Sequence, residues 1–293
     1  MKLILKRTLF FVCLMGSIAQ AEVQVVDDVG QKIVLQQTAK RIVSLAPHIT
    51  ELLFNAGATN QLVGTVSFSD YPQQAKSIQR IGSYNEFDLE RIVALQPDLI
   101  VAWESGNTMT RIDQVRALGF PVFINEPRTF SDIEKSLRKL GALLGTEPAA
   151  KKAAEDFNVA IQQLITKNKQ KAAVSVFYQV WNEPLFTVNG KHLISKVIEV
   201  CGGVNVFNDV PGLSPQISVE AVIQRNPDVI VAGMNKGRAH WLDEWKKWRG
   251  IKAVKDGHLY PIDADLIVRH TPRILLGTEK MCEILDQVRD QNK

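Results

Sequence analysis

The reactive side chains of this chain do not assemble, by spacing, into a catalytic set. No G-x-S-x-G elbow, P-loop, dinucleotide-type G-x-G-x-x-G or H-E-x-x-H occurs. The five histidines, His48, His192, His240, His258 and His270, lack metal-ligand spacing. An enzyme is therefore not expected, nor is a resident cofactor or metal. What the sequence offers instead is aromatic surface. Phe68, Tyr84, Trp103 and Phe186 lie in loops that leave predicted strand ends. Each alone reads as ordinary packing, but four at the same kind of edge suggest an aromatic cleft for a large, flat, partly apolar ligand. Asp265 and Arg269 read either as hydrogen-bonding groups on its rim or as a surface ion pair. His48 falls in a predicted Pro47-His48 loop after the first strand, where α/β proteins bind ligands. Trp241, Trp245 and Trp248 share one face of a predicted helix and read as core.

These residues are placed by alternating β-branched runs and helical patterns, the mark of an α/β protein. Strands are predicted at 41–45, 61–66, 98–103 and 121–124, then at 173–180, 228–232 and 258–262. Helices are predicted at 50–56, 89–95, 110–118 and 131–144, then at 194–201, 219–225, 241–248 and 272–289. Between the halves runs one long helical pattern, 147–168, with Thr146 as candidate cap and Pro148 in its first turn. Ala149, Ala153, Phe157, Ala160 and Leu164 form its expected apolar stripe. It would rise about 33 Å, and no Gly- or Ser-rich linker adjoins it. The expected organisation is a leader at 1–21, an N-terminal lobe at 22–145, a rigid connecting helix at 146–170 and a C-terminal lobe at 171–293, with the ligand cleft between lobes.

The two halves echo one another. Residues 88–103 align without gaps to 218–233, with six of 16 positions identical. Each copy reads as a short helix, a Pro-Asp turn and a buried strand. Chance similarity of two α/β units is the alternative to duplication.

Lys2, Lys6 and Arg7 precede an apolar run, 8–18, and Ala19-Gln20-Ala21, the pattern of a secretory leader cut after Ala21. An uncleaved anchor is the other reading. Cleavage would remove three basic residues and leave a net charge of +1 instead of +4, with no global pull toward nucleic acid or membrane. In an oxidising compartment Cys201 and Cys282 are expected to form one disulfide; two buried thiols are the alternative.

Arg41-Ile-Val-Ser-Leu-Ala-Pro47, Ser69-Asp-Tyr-Pro72, Leu89-Glu-Arg-Ile-Val-Ala-Leu-Gln-Pro-Asp98, Ile198-Glu-Val-Cys-Gly-Gly203 and Pro272-Arg-Ile-Leu-Leu276 resemble the helical-backbone substrate-binding proteins of ABC importers. That class carries siderophores, haem and cobalamin. The likeness runs from about residue 40 to the C-terminus and is nearest to the cobalamin carriers. It implies a periplasmic protein, expected as a monomer, that holds cobalamin or a related corrinoid between two lobes and passes it to a membrane permease. Haem or a ferric siderophore is the alternative cargo, and a periplasmic enzyme using the same cleft the remote one. By position, Phe68, Tyr84, Trp103, Phe186, Asp265 and Arg269 would line the site. Three departures bear on the cargo: Tyr84 stands where a cobalamin carrier has tryptophan at the cleft mouth, Leu213 is the nearest equivalent of a second-lobe tryptophan, and His48 replaces a small residue. A tyrosine near Tyr84 ligates iron in related haem proteins, which leaves haem open. The resemblance also implies that Glu90 and Glu220, which share a position in the echo, dock onto arginines of a twofold-symmetric permease; two solvated helix-start glutamates are the alternative.

Overall fold

The structure, a computed structural model, describes residues 22–234 and 240–291; the expected leader at 1–21 lies outside them. A hairpin opens the described chain, β1 (Val23–Val26) against β2 (Lys32–Leu35). There follow β3 (Ile42–Ser44), α1 (Pro47–Asn55), β4 (Leu62–Gly64), a 3₁₀ turn over Gln73–Ser77, α2 (Leu89–Leu95), β5 (Leu99–Trp103), α3 (Met109–Ala117), β6 (Val122–Asn125) and α4 (Phe130–Leu144). After the connecting helix α5 (Glu147–Asn168) come β7 (Val174–Gln179), α6 (Leu193–Val200), β8 (Gly203–Asn205), α7 (Val219–Arg225) and β9 (Val229–Met234). The chain ends with α8 (His240–Asp243), a 3₁₀ turn over Glu244–Lys247, α9 (Lys252–Lys255), β10 (Leu259–Asp263), α10 (Ala264–Ile267) and α11 (Ile274–Gln291). The hairpin and β8 escaped the sequence reading: β8 spans only three residues and the hairpin is half-solvated. The predicted helix over 241–248 breaks at Asp243, although Trp241 and Trp245 are buried as core.

Strands β3 to β6 form one parallel sheet in the order β4-β3-β5-β6, and β7 to β10 a second in the order β8-β7-β9-β10. The two sheets thus share one topology. Both faces of each are covered, as parallel sheets require: Leu99 and Val101 of β5 point to one apolar cluster and Ile100 and Ala102 to another. The 130-residue echo is physical. Helices α2 and α7 are capped by Asp88 and Ser218, whose side chains accept from the third helical N–H, and end at Gln96 (φ 45°) and Asn226 (φ 44°), both left-handed. Asp98 then accepts from the backbone N–H groups of Lys40 and Arg41 (2.7 and 3.0 Å), and Asp228 from that of Ser175 (2.8 Å). Each Pro-Asp turn therefore ties its strand to the start of the neighbouring one.

The connecting helix packs on α4 through Ala150, Ala154, Phe157 and Ile161, not along the stripe expected from Ala149. Both alanine series recur at helical spacing. Gly141 of α4 decides between them, because its missing Cβ is what lets Ala150 approach. Nor does Thr146 cap its own helix: its hydroxyl donates to the Ala56 carbonyl at the end of α1 (2.6 Å). One apolar cluster runs unbroken from Ile42 through Leu137, Phe157 and Val176 to Met281, so the two sheets share a core. Cys201, which ends α6, is bonded to Cys282 in α11, as expected.

A buried ion cluster joins the halves. Glu51 of α1 is fully enclosed. Its carboxylate accepts from Arg269 (2.8 Å), from both Nε and Nη2 of Arg273 (3.1 and 2.7 Å) and from the Thr271 hydroxyl (3.1 Å). Arg269 also reaches Asp70 (3.3 Å) and Asp265 (3.1 Å), and the Arg273 guanidinium lies 4.1 Å from the centre of the Tyr71 ring. Burial opposes the charge on Arg269, but the hydrogen bond and charge of Glu51, with Asp265 and Asp70, hold its proton affinity above the ordinary value. Removing one partner of such a cluster leaves the others buried and uncompensated. Glu51→Ala is therefore expected to lower the free energy of unfolding by about 3–5 kcal/mol, read from the midpoint of chemical denaturation. An unchanged midpoint would show that the two guanidiniums find other partners.

Candidate functional site

In sheets of this strand order the crevice lies at the carboxyl ends of the first and third strands, where the chain direction of winding reverses. Those ends are Ser44 and Trp103 in one sheet, Gln179 and Met234 in the other. A cavity of about 390 Å³ sits there, lined from both halves: Trp103, Glu126 and Arg128 from one, Val180, His192, Leu213 and His270 from the other. Larger surface depressions exist. One of about 740 Å³ beside Lys171, Asp228, Lys252, Asp286 and Arg289 holds charges already paired with one another.

Trp103 is set by its own loop. Its backbone N–H donates to the Asn107 side-chain oxygen (2.6 Å), and the Asn107 amide donates to the carbonyls of Leu45 (2.9 Å) and Tyr84. One buried asparagine thus sutures three strand-end loops. Gly106 lies against the indole so closely that any Cβ there would collide with the ring. Around Trp103 pack Tyr84 (ring centres 5.9 Å apart) and His48 (5.0 Å, edge to face). His48 is not in a loop as expected. It stands in the first turn of α1, because Pro47 starts the helix directly after β3.

Three of the five scattered histidines converge. His270 stands 6.3 Å from His48 and 5.7 Å from His192, between ring centres. Their hydrogen bonds assign the tautomers. His192 Nδ1 accepts from the Ile194 N–H (3.1 Å), so its proton is on Nε2. His270 Nδ1 donates to the Pro127 carbonyl (2.7 Å), so its lone pair is on Nε2. Burial, then the neighbouring His270 and Arg269, push His48 down to about 3. Burial, then His270, does the same to His192, also about 3. Burial lowers His270 as well, against the raising effects of the Pro127 carbonyl and Glu126. His48 Nε2 is buried without a hydrogen-bond partner.

Of the expected site residues, Trp103 and Leu213 line the cavity, while His48 and Tyr84 pack against Trp103. Phe68, Phe186 and Asp265 are not in its lining. Phe186 is half-buried in short β-bridges to Trp181 and Gln216. Phe68 is 74% exposed at φ 66°, a left-handed backbone that a phenylalanine adopts only under local constraint. Arg269 is no free rim donor. It does pair with Asp265, whose carboxylate stays partly exposed, while its guanidinium is drawn inward onto the buried Glu51. His192, His270, Asn107 and Glu51 were not singled out from the sequence. A histidine or asparagine carries no pattern of its own, and only the strand-end positions could have pointed to them.

The comparisons with known proteins follow this geometry. Residues 42–266 match the family described as periplasmic binding protein. The chain is 35% identical over 254 residues to the vitamin B12-binding protein of Vibrio campbellii, covering 86% of this chain and 92% of that protein. It superposes on the crystal structure of the periplasmic vitamin B12 binding protein BtuF of Vibrio cholerae with a TM-score of 0.78 at 33% identity, over 85% of this chain and 98% of that one. The periplasmic heme-binding protein RhuT from Roseiflexus shares the fold, with a TM-score of 0.76 at 21% identity, over 87% and 100% of the two chains.

A proton balance follows from His48, whose ring is sealed from solvent. In the unfolded chain it titrates near 6.5 and in the native protein near 3. Between those values the unfolded state binds more protons, so stability is full above about pH 6.5 and falls on acidification. The thermal midpoint is expected to drop from pH 7 to pH 5, a window above most carboxylate titration. His192, lowered to a similar value, contributes to the same slope, so His48→Gln should make it shallower and the His48→Gln, His192→Gln pair shallower still; an equally steep slope in the double variant would assign it elsewhere.

Proposed function

Because the chain belongs to the periplasmic binding protein family, we propose that it captures a corrinoid of the vitamin B12 type in the cleft between its two sheets and delivers it to the membrane permease of an ABC importer. The observation that carries this reading is Trp103. A partly buried indole, seated on Gly106 and held by Asn107, lines a cavity at the switch points of two like sheets. Such a face suits a broad, partly apolar macrocycle. Lys191 also lines the cavity and supplies positive charge for an anionic substituent such as a phosphodiester, whereas Arg128 there is paired with Glu104 and Glu126. The names of the two vitamin B12-binding proteins above, the more similar in sequence of those compared, agree with this cargo.

The chain binds and releases; no chemical step is assigned to it. The leader would direct export and be cut after Ala21, and the protein would act as a monomer. The shared core and the Glu51 cluster argue that ligand closes the cleft only slightly. Glu90 and Glu220 are the permease contacts in this reading. Each is exposed at the second position of its helix, α2 or α7, in equivalent places of two duplicated units. At Glu220 its own backbone N–H and the Ser218 hydroxyl favour the carboxylate form. Two like charges on a pseudo-twofold surface suit a partner with true twofold symmetry.

Two outcomes test the reading. Titrated with cyanocobalamin by calorimetry, Trp103→Ala should bind at least about tenfold more weakly, since one well-placed aromatic contributes on the order of 1–3 kcal/mol. A parallel titration with haem should show the weaker binding; the reverse order would favour haem as cargo. In reconstituted vesicles, Glu90→Arg or Glu220→Arg should each reduce uptake, and the double variant more, with soluble affinity for cyanocobalamin unchanged. Full uptake by the double variant would remove the docking role.

A further inference from the structure

Among the described residues no group of three or more His, Cys, Asp or Glu side chains could hold a bare metal ion. A single imidazole can still bind a metal whose other positions are filled by its own macrocycle. His270 has the form such a ligand needs. Its Nδ1–H is spent on the Pro127 carbonyl (2.7 Å), which fixes the ring and leaves the lone pair on Nε2. That is the arrangement in which protein imidazoles hold metals, the far nitrogen being anchored by a carbonyl or carboxylate. No hydrogen bond reaches His270 Nε2 from the described residues, and His270 is one of the residues that line the cavity.

The backbone around it is held on both sides. Arg269 and Thr271, its two neighbours in sequence, both bond to the buried Glu51 (2.8 and 3.1 Å). The imidazole is thus preorganised rather than recruited on binding. The other two histidines do not compete. His192 carries its proton on Nε2 because its Nδ1 accepts from Ile194, so it is a donor toward the cavity and not a ligand. His48 Nε2 is enclosed within the protein, and the residue is not part of the cavity lining. Burial also favours the neutral form of His270.

Resting on the metallomacrocycle reading above, we propose that His270 Nε2 coordinates the central metal of the bound corrinoid at one axial position. The step is a ligand exchange: the Nε2–cobalt bond forms, a cobalt–water bond breaks, the water leaves with its electron pair, and the metal keeps its oxidation state. It requires a cobalt with a water on one axial face. The favoured cargo is therefore a corrinoid without an intramolecular base, or one whose base has come off, with His192 Nε2–H available to a polar substituent on the same side.

The test uses the mature protein and cob(II)inamide, reduced beforehand and freed of reductant, in electron paramagnetic resonance. One axial nitrogen splits the cobalt lines into triplets, and ¹⁵N-histidine labelling turns each triplet into a doublet. Both are expected in the wild-type protein, and the nitrogen splitting should vanish in His270→Ala, or in His270→Gln if the alanine variant does not fold. Binding of cob(II)inamide and of cyanocobalamin is followed in parallel by quenching of tryptophan fluorescence. Binding without nitrogen splitting in the wild type overturns the role of His270 and leaves the corrinoid reading standing. Splitting retained in the folded His270 variants, or lost in folded His48→Ala or His192→Ala instead, overturns the assignment to His270. If neither corrinoid binds, the corrinoid reading falls and this inference falls with it.

Discussion

Glu51 is the constraint from which the rest of the architecture follows. A carboxylate with no solvent exposure needs full compensation. It finds this only where α1 of one half meets the segment before α11 of the other, through Arg269, Thr271 and Arg273. A rotation of one sheet against the other would pull these partners apart inside a region water does not reach. The penalty for that separation is larger than the cost of ordinary surface rearrangements, because each charge would be left without its counter-charge. An apolar cluster that spans both sheets opposes the same rotation. His48 lies one helical turn before Glu51, and His270 sits between two of its partners. The spacing of the histidines is therefore set by the same cluster that joins the lobes.

Repetition of one strand order and one helix–turn–strand unit supplies the other organising element. Two sheets with the same strand order place residues near both switch points around one cavity. The repeated helix–Pro-Asp–strand unit does the structural part of this work. Its aspartates, Asp98 and Asp228, tie adjacent strands, and its left-handed ends at Gln96 and Asn226 turn the chain back into the sheet. The same units carry Glu90 and Glu220, each exposed at the second position of its helix.

The polar groups in the cleft are few and individually positioned. Asn107 brings Trp103, Tyr84 and Leu45 together through one amide. The carbonyls and amides near His192 and His270 assign their tautomers, giving a donor on one ring and a lone pair on the other. In a partly dry cavity such assignments matter more than in water, because an unmet donor or acceptor has no solvent to turn to. The cleft therefore combines one broad aromatic face with a small set of directional contacts.

Periodic and local features were legible in the sequence by itself. Alternation of β-branched runs with helical patterns gave the α/β class, because burial on both faces of a parallel strand leaves continuous apolar runs. Self-comparison revealed the repeat, the two cysteines implied a disulfide, and strand-end aromatics pointed to Trp103. What tertiary structure alone decided was every outcome set by a partner distant in the chain. The α5 stripe depends on Gly141, which only the packed helix pair reveals. Thr146 serves Ala56 instead of its own helix. Arg269 is drawn from the rim into the interior by Glu51, 218 residues away in sequence. Three histidines without motif spacing meet because the sheets bring strand ends and helix starts to one place. Local pattern encodes how a segment buries its own face. It carries no record of which remote polar group will compensate a buried charge or fix a proton, since that depends on distances the fold creates.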